Sequence, residues 1–267
     1  MKKDTQEMAD NTIKILGVKV DSTSEAWVLT KISQICRISL KKPFFIVTAY
    51  SEFILQAQKD TDFKKALERS DLIVPDGVSL VAASDYLSKP TKNILGNFVS
   101  GLRIGVNILH GMYAKKIVSG VELTKNILKS KHKVFLLGGW NGVAERLAKR
   151  SGVDFDGFED EELAIKKIAE AKPDVLLVAL GHFKQEKWIA KNLDKLECKI
   201  VIGVGSSFDE IIGEGMWSKP VPDWINEMGL KWLWRVFVDP KHIVRAWNAF
   251  PVFAWKVFLQ KNQKDFR

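Results

Sequence analysis

The stretch DVLLVALGHFKQEKW, residues 174–188, contains the transition on which the fold assignment depends. Its first half is an apolar run of strand length, and its second half is a polar segment that opens a helix after Gly181. An apolar run without polar alternation is typical of a strand that is covered on both faces, as in parallel sheets flanked by helices. The stretch therefore predicts one strand-to-helix unit of a parallel sheet.

Four other segments repeat this arrangement. The apolar runs FFIVTAY, DLIVPD, KVFLLGG and KIVIGVG alternate with segments of helical period such as GVAERLAKRS and EELAIKKIAEAK. This alternation predicts an α/β fold with a Rossmann-like, mainly parallel sheet and helices on both faces. Ligands of such sheets bind beyond the carboxyl ends of the strands, so the residues there are expected to rim one crevice. They are Thr48, Asp76, Gly138, Gly139, Gly181, Gly203 and Gly205.

Composition limits the class of protein. The chain has 267 residues and two cysteines without metal-ligand spacing, from which we expect a reducing, cytoplasmic setting and no zinc site. The first residues, MKKDTQEMADNT, have no apolar stretch after their basic start, and no apolar run of about 18 residues occurs, so we expect neither a secretion leader nor a membrane-spanning segment. The net charge of +9 predicts an anionic partner, which is nucleic acid, an acidic lipid surface or a phosphate-bearing ligand.

Residues 91–116 interrupt the alternation within the core. They contain no acid and place apolar residues at helical spacing, which predicts an apolar helix or hairpin with a basic fringe. We interpret this segment as an insertion that contacts either the membrane or another subunit, and a buried helix is the alternative.

The tail from residue 217 differs in composition from the rest of the chain. It holds nine basic residues, four acids and six of the nine tryptophans. Tryptophans favour the headgroup level of a bilayer, and basic residues are attracted to anionic lipids. We therefore expect an α/β core over residues 1–216 and a helical, membrane-associating appendage over residues 217–267.

Several short motifs are ambiguous when taken singly. The loops GGWNG (138–142) and GVGSSFD (203–209) either direct backbone N–H groups at a phosphate or only form tight turns. The acid pair at 154–156 runs into GFEDEE (157–162), which is interpreted as a surface turn with acids near the start of the next helix, and the pair is not interpreted as a metal site. Gln185, at a helix start, carries an uncharged amide that suits sugar hydroxyls or a pyrimidine edge.

Taken in order, the blocks VTAYSEF, SDLIVPDGVSLV, IVSGVEL, VFLLGGWNGVAERLA, PDVLLVALGHFKQEKWIAKN, IGVGSSFDEIIGEG and GLKWLWRVFVDPKHIVRAW resemble the WecG/TagA/CpsF glycosyltransferases. The resemblance extends from about residue 13 to about residue 250. It implies inverting transfer of an N-acetylmannosamine-type sugar from a UDP donor to undecaprenyl-diphosphate-linked N-acetylglucosamine, in teichoic acid or surface polysaccharide synthesis. It further implies a peripheral enzyme at the inner face of the cell membrane, without metal or cofactor, and with a possible homo-oligomeric state.

The same resemblance assigns roles to individual residues. Asp76 falls on the general base, Thr48 and Gln185 fall on the other active-site positions, and Arg235 and Arg245 fall on arginines that close over the donor diphosphate. Apart from the resemblance, the strand-to-helix junctions supply further expected donor-binding residues, which are Gly138, Gly139, Gly203, Gly205, Glu186 and Asp209.

Physical reasoning agrees with two of these roles. An inverting transfer needs a base for the acceptor hydroxyl, and an aspartate with the ordinary pKa of about 3.9 is ionised at pH 7. Arginine presents a planar fork that matches phosphate oxygens. The alternatives are a turn aspartate at Asp76 and solvated or lipid-facing charges at Arg235 and Arg245.

Departures from the family pattern leave the donor sugar open. Tyr50 replaces the usual Asn, Phe183 replaces a Pro, Lys231 replaces a Glu, and residues 218–220 replace an Arg-Ala-Pro block. Two other functions stay open at this point. One is a soluble nucleotide-sugar enzyme such as an epimerase, and the other is a basic nucleic-acid-binding protein, for which no known motif is present.

Overall fold

The computed structural model describes residues 12–91, 93–213, 221–222, 224–225, 228, 230–238 and 243–264. Its strands are β1 (Thr12–Ile15), β2 (Val18–Asp21), β3 (Phe44–Ala49), β4 (Leu72–Pro75), β5 (Val134–Gly138), β6 (Asp154–Asp156), β7 (Val175–Ala179) and β8 (Ile200–Gly203). The helices of the first half are α1 (Glu25–Ile35), α2 (Ser51–Ala57), α3 (Thr61–Glu68), α4 (Val78–Ser88), α5 (Ile94–Leu109) and α6 (Gly120–Leu128). Those of the second half are α7 (Val143–Ser151), α8 (Glu161–Ala171), α9 (Lys184–Asn192), α10 (Ser207–Ile212), α11 (Lys231–Val238), α12 (Ile243–Trp247) and α13 (Phe253–Lys264).

A six-stranded parallel sheet with the order β4-β3-β8-β7-β5-β6 forms the centre of the molecule. Strands β1 and β2 form a separate antiparallel hairpin. Register places Val47 of β3 opposite Gly203 of β8, and Gly203 opposite Val178 of β7. The carboxyl ends of these strands therefore lie at one edge of the sheet, and the predicted α/β fold is confirmed.

Both faces of the sheet are covered by helices, which explains the unbroken apolar strands. In β7, Leu176 and Val178 belong to the core under α9, whereas Leu177 belongs to the core under α7. All three side chains are fully buried. Burial of one such side chain contributes roughly 1.5–3 kcal/mol, so a polar residue on either face of this strand would be costly.

The predicted turn with acids before the next helix is confirmed at residues 157–162, and the acid pair at 154–156 lies in a strand that precedes it. Residues 154–156 form the edge strand β6, which pairs in parallel with β5. The Asp156 carboxylate accepts hydrogen bonds from Lys167 Nζ (2.7 Å) and from the Phe158 amide (2.7 Å), and these bonds permit a buried acid in a strand. The expected acid near the next helix start is Asp160, whose side chain caps α8 by accepting from the Leu163 amide.

The C-terminal helix α13 packs against the core. Phe253 and Val257 are buried in the same apolar cluster as the sheet, and Gln260 exchanges hydrogen bonds with the β1–β2 hairpin at Leu16 N and Lys14 O. The predicted boundary between residues 216 and 217 lies outside the described residues. Among the helices that are described, none has the length and apolar character needed to cross a membrane.

Candidate active site

Asp76 lies immediately after β4, in a turn that is held on two sides. Its amide donates to the Ala49 carbonyl at 2.6 Å, and its Oδ2 atom accepts from the Gly120 amide at 3.1 Å. Beside it, the Val118 amide donates to the Pro75 carbonyl at 2.9 Å. The carboxylate is therefore fixed at the carboxyl edge of the sheet by segments far apart in the sequence.

Gly120, at the start of α6, is the point on which three polar side chains converge. A Cβ atom at this position would lie 3.1 Å from Asp76 Oδ2, 3.4 Å from Thr48 Oγ1 and 3.4 Å from Ser207 Oγ. Thr48 and Ser207 are buried, and each hydroxyl donates to a backbone carbonyl, that of Gly203 (3.0 Å) and Val204 (2.6 Å) respectively. The sequence assigned no individual role to Gly120 or Ser207, although Gly120 lies in the block IVSGVEL and Ser207 in the loop GVGSSFD.

Gln185 braces the loop that follows β8. Its Oε1 atom accepts from the Gly205 amide at 3.1 Å, and its Nε2 atom donates to Glu186 Oε1 at 2.7 Å. Gly203 approaches both side chains so closely that a Cβ there would lie 2.7 Å from each. The structure thus brings four predicted residues, Gln185, Glu186, Gly203 and Gly205, into one hydrogen-bonded and close-packed group.

The Glu186 side chain is fully buried, and its carboxyl group holds the strained turn at Phe183. Burial raises its pKa to about 7, against the opposing effect of hydrogen bonds from the Gln185 amide and the backbone. Its Oε2 atom accepts from the Phe183 amide at 2.9 Å, where the Phe183 backbone has φ 68° and ψ −40°. A proline cannot take this conformation or donate this bond, because its ring fixes φ at about −65° and it has no N–H.

The burial of Glu186 makes the free energy of unfolding depend on pH. Folded protein keeps Glu186 protonated up to about pH 7, whereas the unfolded chain releases the proton near the ordinary pKa of 4.5. Between these values the folded state binds more protons, so its stability falls as the pH rises. From about pH 5 to about pH 7.5, we expect the free energy of unfolding of wild type to fall by about 2 kcal/mol relative to Glu186→Gln.

Urea unfolding followed by tryptophan fluorescence at the two pH values measures this difference. Glu162→Gln, at an exposed position on α8, is the matched control for the general pH dependence of the chain. Parallel pH dependence of wild type, Glu186→Gln and the control would contradict the assignment.

The glycines after β5 allow a close approach between neighbouring strands. At Gly138, with φ 89°, a Cβ would lie 2.7 Å from the Ala179 carbonyl oxygen, and the Gly139 amide donates to the same oxygen at 2.8 Å. The Phe208 ring lies against Gly139, which joins this loop to α10. Trp140, the next residue, has 67% of its surface exposed.

Arg235, in the segment predicted as the appendage, pairs with helix α10. Its Nη2 atom lies 2.6 Å from Glu210 Oε1 on α10, and the Glu210 side chain is 7% exposed. Asp209 precedes Glu210 in the first turn of the same helix and is partly buried. Arg245 belongs to α12, but its side chain is outside the described part of the chain, as is that of Lys231.

Tyr50, at the position where the family has Asn, lies beside the Pro75–Gly77 turn. Its Cβ atom would be 3.6 Å from a Cβ at Gly77, and its ring contacts Phe53 edge-on at a centroid distance of 4.7 Å. The exposed His182 ring lies 6.2 Å from the Tyr50 ring, which brings the turn after β7 near the turn after β3. The Tyr50 side chain therefore stands next to the turn that carries Asp76, and the His182 ring lies near Tyr50.

Within the described residues, no group of three or more His, Cys, Asp and Glu side chains is placed to hold a metal ion.

Comparison with known proteins identifies the group to which these motifs belong. The model of the glycosyl transferase WecG/TagA/CpsF family matches residues 13–97 and 99–267. The chain belongs to this family. It is 29% identical to a Staphylococcus aureus (strain MRSA252) protein named N-acetylglucosaminyldiphosphoundecaprenol N-acetyl-β-D-mannosaminyltransferase, over 97% of this chain and 98% of that one. Proteins of the same name from the strains NCTC 8325 / PS 47 and COL show the same identity and coverage.

Membership of the WecG/TagA/CpsF family confirms the resemblance drawn from the sequence blocks. The protein is therefore a glycosyltransferase. This finding decides against the epimerase and the nucleic-acid-binding protein as its main function.

Proposed function

We propose that this glycosyltransferase moves an N-acetylmannosamine-type sugar from a UDP donor to undecaprenyl-diphosphate-linked N-acetylglucosamine, with inversion at the anomeric carbon. The observation that carries the proposal is the convergence of Asp76, Thr48 and Ser207 around Gly120 at the carboxyl edge of the sheet. Ligands of parallel α/β sheets bind at this edge. The names of the Staphylococcus aureus relatives support the acceptor and the transferred sugar.

Asp76 is the proposed general base. The acceptor hydroxyl oxygen attacks the anomeric carbon of the donor, its proton passes to the Asp76 carboxylate, and the bond from that carbon to the UDP oxygen breaks. UDP leaves with the electron pair of that bond. The hydrogen bond from the Gly120 amide holds the carboxylate in one orientation, which lowers the entropic cost of reaching the reactive geometry.

The leaving diphosphate needs positive charge or hydrogen-bond donors. Arg235 and Arg245 are the proposed sources of positive charge, and the loops at Gly138–Gly139 and Gly203–Gly205 are the proposed sources of backbone donors. Gln185 and Glu186 are proposed to act on the donor by fixing the Gly205 loop, since the Gln185 amide bonds to Gly205 and Glu186. Asp209 is a proposed donor contact on α10.

The acceptor of the proposed reaction is attached to a lipid, so the enzyme has to work at a membrane surface. We propose a peripheral location at the inner face of the cell membrane, with the product entering teichoic acid or another surface polysaccharide. Exposed aromatic side chains in the C-terminal part, Trp224, Phe237, Trp247 and Trp255, support membrane contact by the proposed appendage.

Incubation of the purified protein with a panel of UDP-N-acetylhexosamines and a lipid-diphosphate-N-acetylglucosamine analogue tests the proposal. We expect UDP release that depends on the acceptor, is greatest with the N-acetylmannosamine donor and is unaffected by EDTA. Conversion of the donor without acceptor, or equal use of a short water-soluble acceptor, would contradict it. Such a result would instead favour a soluble nucleotide-sugar enzyme.

A further inference from the structure

Helix α5 exposes a continuous apolar stripe to solvent. The side chains that form it are each more than half exposed, and we call them the outer face of α5: Leu95, Phe98, Val99, Leu102, Val106 and Leu109. At roughly 100° per residue they occupy an arc of about 100° and a length of about 21 Å. A stripe of this size on a helix of a folded protein indicates a contact surface, because single exposed apolar residues are normal but contiguous ones are not.

The opposite side of α5 is fixed to the core by buried polar bonds. Asn97 is fully buried, and its Nδ2 atom donates to Asn262 Oδ1 of α13 at 2.8 Å. The Tyr86 hydroxyl of α4 donates to the Asn97 carbonyl, and Lys261 Nζ of α13 donates to the Tyr86 carbonyl at 2.6 Å. Satisfied buried networks of this kind hold one orientation of a helix, so the exposure of the outer face is imposed by the fold.

The segment of the chain that contains the outer face carries basic residues and no acids. From Tyr86 to Val121 the sequence contains no Asp or Glu. Arg103, Lys115 and Lys116 are exposed within or just after α5. The nearest acid before this stretch, Asp85, accepts hydrogen bonds from Lys89 Nζ and from the Tyr113 hydroxyl, each at 2.7 Å. The result is an apolar stripe with a basic rim.

We propose that the outer face of α5 binds the surface of an anionic lipid bilayer, with the helix lying in the plane of the headgroups. An apolar stripe beneath basic residues matches acyl chains beneath anionic headgroups. A second copy of the chain fits less well, because a two-fold contact would bring the outer face against itself and oppose the two basic rims. The 16 residues of α5 are fewer than the roughly 20 that a membrane-spanning helix needs.

Docking through α5 has a direct consequence for the candidate active site. The chain leaves the site at Asp76, forms α4 and α5, and returns at Gly120, and the two ends are joined by the Gly120 N–Asp76 Oδ2 hydrogen bond of 3.1 Å. A bilayer that holds α5 therefore also limits the distance between Asp76 and the membrane surface. This consequence rests on the proposed lipid-linked acceptor, whereas the binding itself does not.

Cosedimentation of the full chain with vesicles tests the inference. The vesicles contain phosphatidylcholine with or without phosphatidylglycerol, and no sugar substrate is added. The test variant is Leu95→Glu/Leu102→Glu, on the outer face of α5. Its control is Ile38→Glu/Leu163→Glu, which changes the net charge equally at apolar residues that are 51% and 48% exposed. We expect the test variant to lower the partition coefficient on phosphatidylglycerol vesicles at least tenfold and the control to change it less than twofold.

A second measurement covers the case in which the test variant fails to fold. Leu102→Cys labelled with a polarity-sensitive fluorophore is expected to shift its emission to the blue when phosphatidylglycerol vesicles are added and not when pure phosphatidylcholine is added. Failure of wild type to bind vesicles, an equal loss in test and control variants, or no spectral shift would overturn the inference. A test variant that still binds vesicles but changes from dimer to monomer in light scattering would assign the face to a second copy. Vesicle binding without transfer from any UDP donor would reject the proposed function and leave this inference standing.

Discussion

Asp76→Asn is expected to lower the rate of sugar transfer at least a hundredfold, the lower range for removal of a general base, while the protein stays folded. The amide oxygen of Asn can accept the hydrogen bond from the Gly120 amide in place of Asp76 Oδ2, so the turn after β4 keeps its geometry. What is lost is the capacity to take a proton from the acceptor hydroxyl. Initial rates of UDP release at saturating donor and acceptor measure the effect.

Asp71→Asn is the matched control for this substitution. Asp71 lies at the opposite end of β4 from Asp76, and its Oδ2 atom accepts from the Phe45 amide at 2.9 Å. The chemical change is identical, yet we expect a rate within about threefold of wild type because the amino end of a parallel sheet is not where ligands bind. A comparable loss in both variants, or a mutant at Asp76 that retains a tenth of the wild-type rate, would remove Asp76 from the mechanism.

Gly120→Ala tests the same site by adding a methyl group beside Asp76 instead of removing the charge of Asp76. The added methyl group would lie 3.1 Å from Asp76 Oδ2, so the carboxylate must move by a few tenths of an ångström. Alanine is favoured over glycine in a helix by about 1 kcal/mol, and stability is therefore expected to change little. A loss of transfer with an unchanged urea midpoint supports a catalytic position for this carboxylate, because small misplacements of reacting groups are costly.

Five of the six strands of the sheet were predictable from the sequence because each of these five is buried on both faces. The runs FFIVTAY, DLIVPD, KVFLLGG, DVLLVALG and KIVIGVG correspond to β3, β4, β5, β7 and β8. A segment that cannot hold a polar residue on either side has a strong pattern. Strand β6 does not have to be apolar on both sides, because it lies at the edge of the sheet. Its acid Asp156 forms an ion pair with Lys167. The sequence of β6 therefore does not distinguish a strand from a turn.

Of the residues that meet around Gly120, only those at the ends of strands could be predicted from the sequence. Thr48 and Asp76 follow from the rule that ligands bind at the carboxyl edge. Gly120 and Ser207 come to this edge through contacts between segments that are far apart in the chain, and the sequence does not show which segments will meet. The buried pairing of the Gln185 amide with Glu186 was likewise not predictable, because a polar helix start is normally solvated.

Helix α13 limits how the proposed appendage can be tested. Phe253 and Val257 belong to the core, and Lys261 is buried against Tyr86 of α4. Deletion of residues 217–267 would therefore expose core side chains and destabilise the protein whatever the tail does at a membrane. Point substitutions that leave α13 in place are needed to separate membrane contact, donor binding and folding.

Arg235→Gln combined with Glu210→Gln is expected to reduce transfer by about a hundredfold, the usual effect of losing one donor that stabilises developing negative charge. Arg235→Gln alone is a poor test, because it would leave the nearly buried Glu210 carboxylate without the guanidinium 2.6 Å away, at a cost of roughly 3–5 kcal/mol in a buried pair. The double variant removes both charges and keeps two amides that can hydrogen-bond. Transfer kinetics and urea unfolding of the same preparations separate activity from stability.

Glu210→Gln alone decides whether Arg235 has a role beyond packing. If the guanidinium binds the donor diphosphate, Glu210 competes with that diphosphate for it, and removal of the Glu210 charge should lower the KM for the donor several-fold. If Arg235 only holds α11 against α10, the same variant weakens that contact and leaves KM unchanged or raises it. Only a role in donor binding predicts a lower KM for the donor in this variant. An unchanged KM in Glu210→Gln together with a wild-type rate in the double variant would assign Arg235 to structure, and the charge that balances the departing UDP would have to come from another part of the protein.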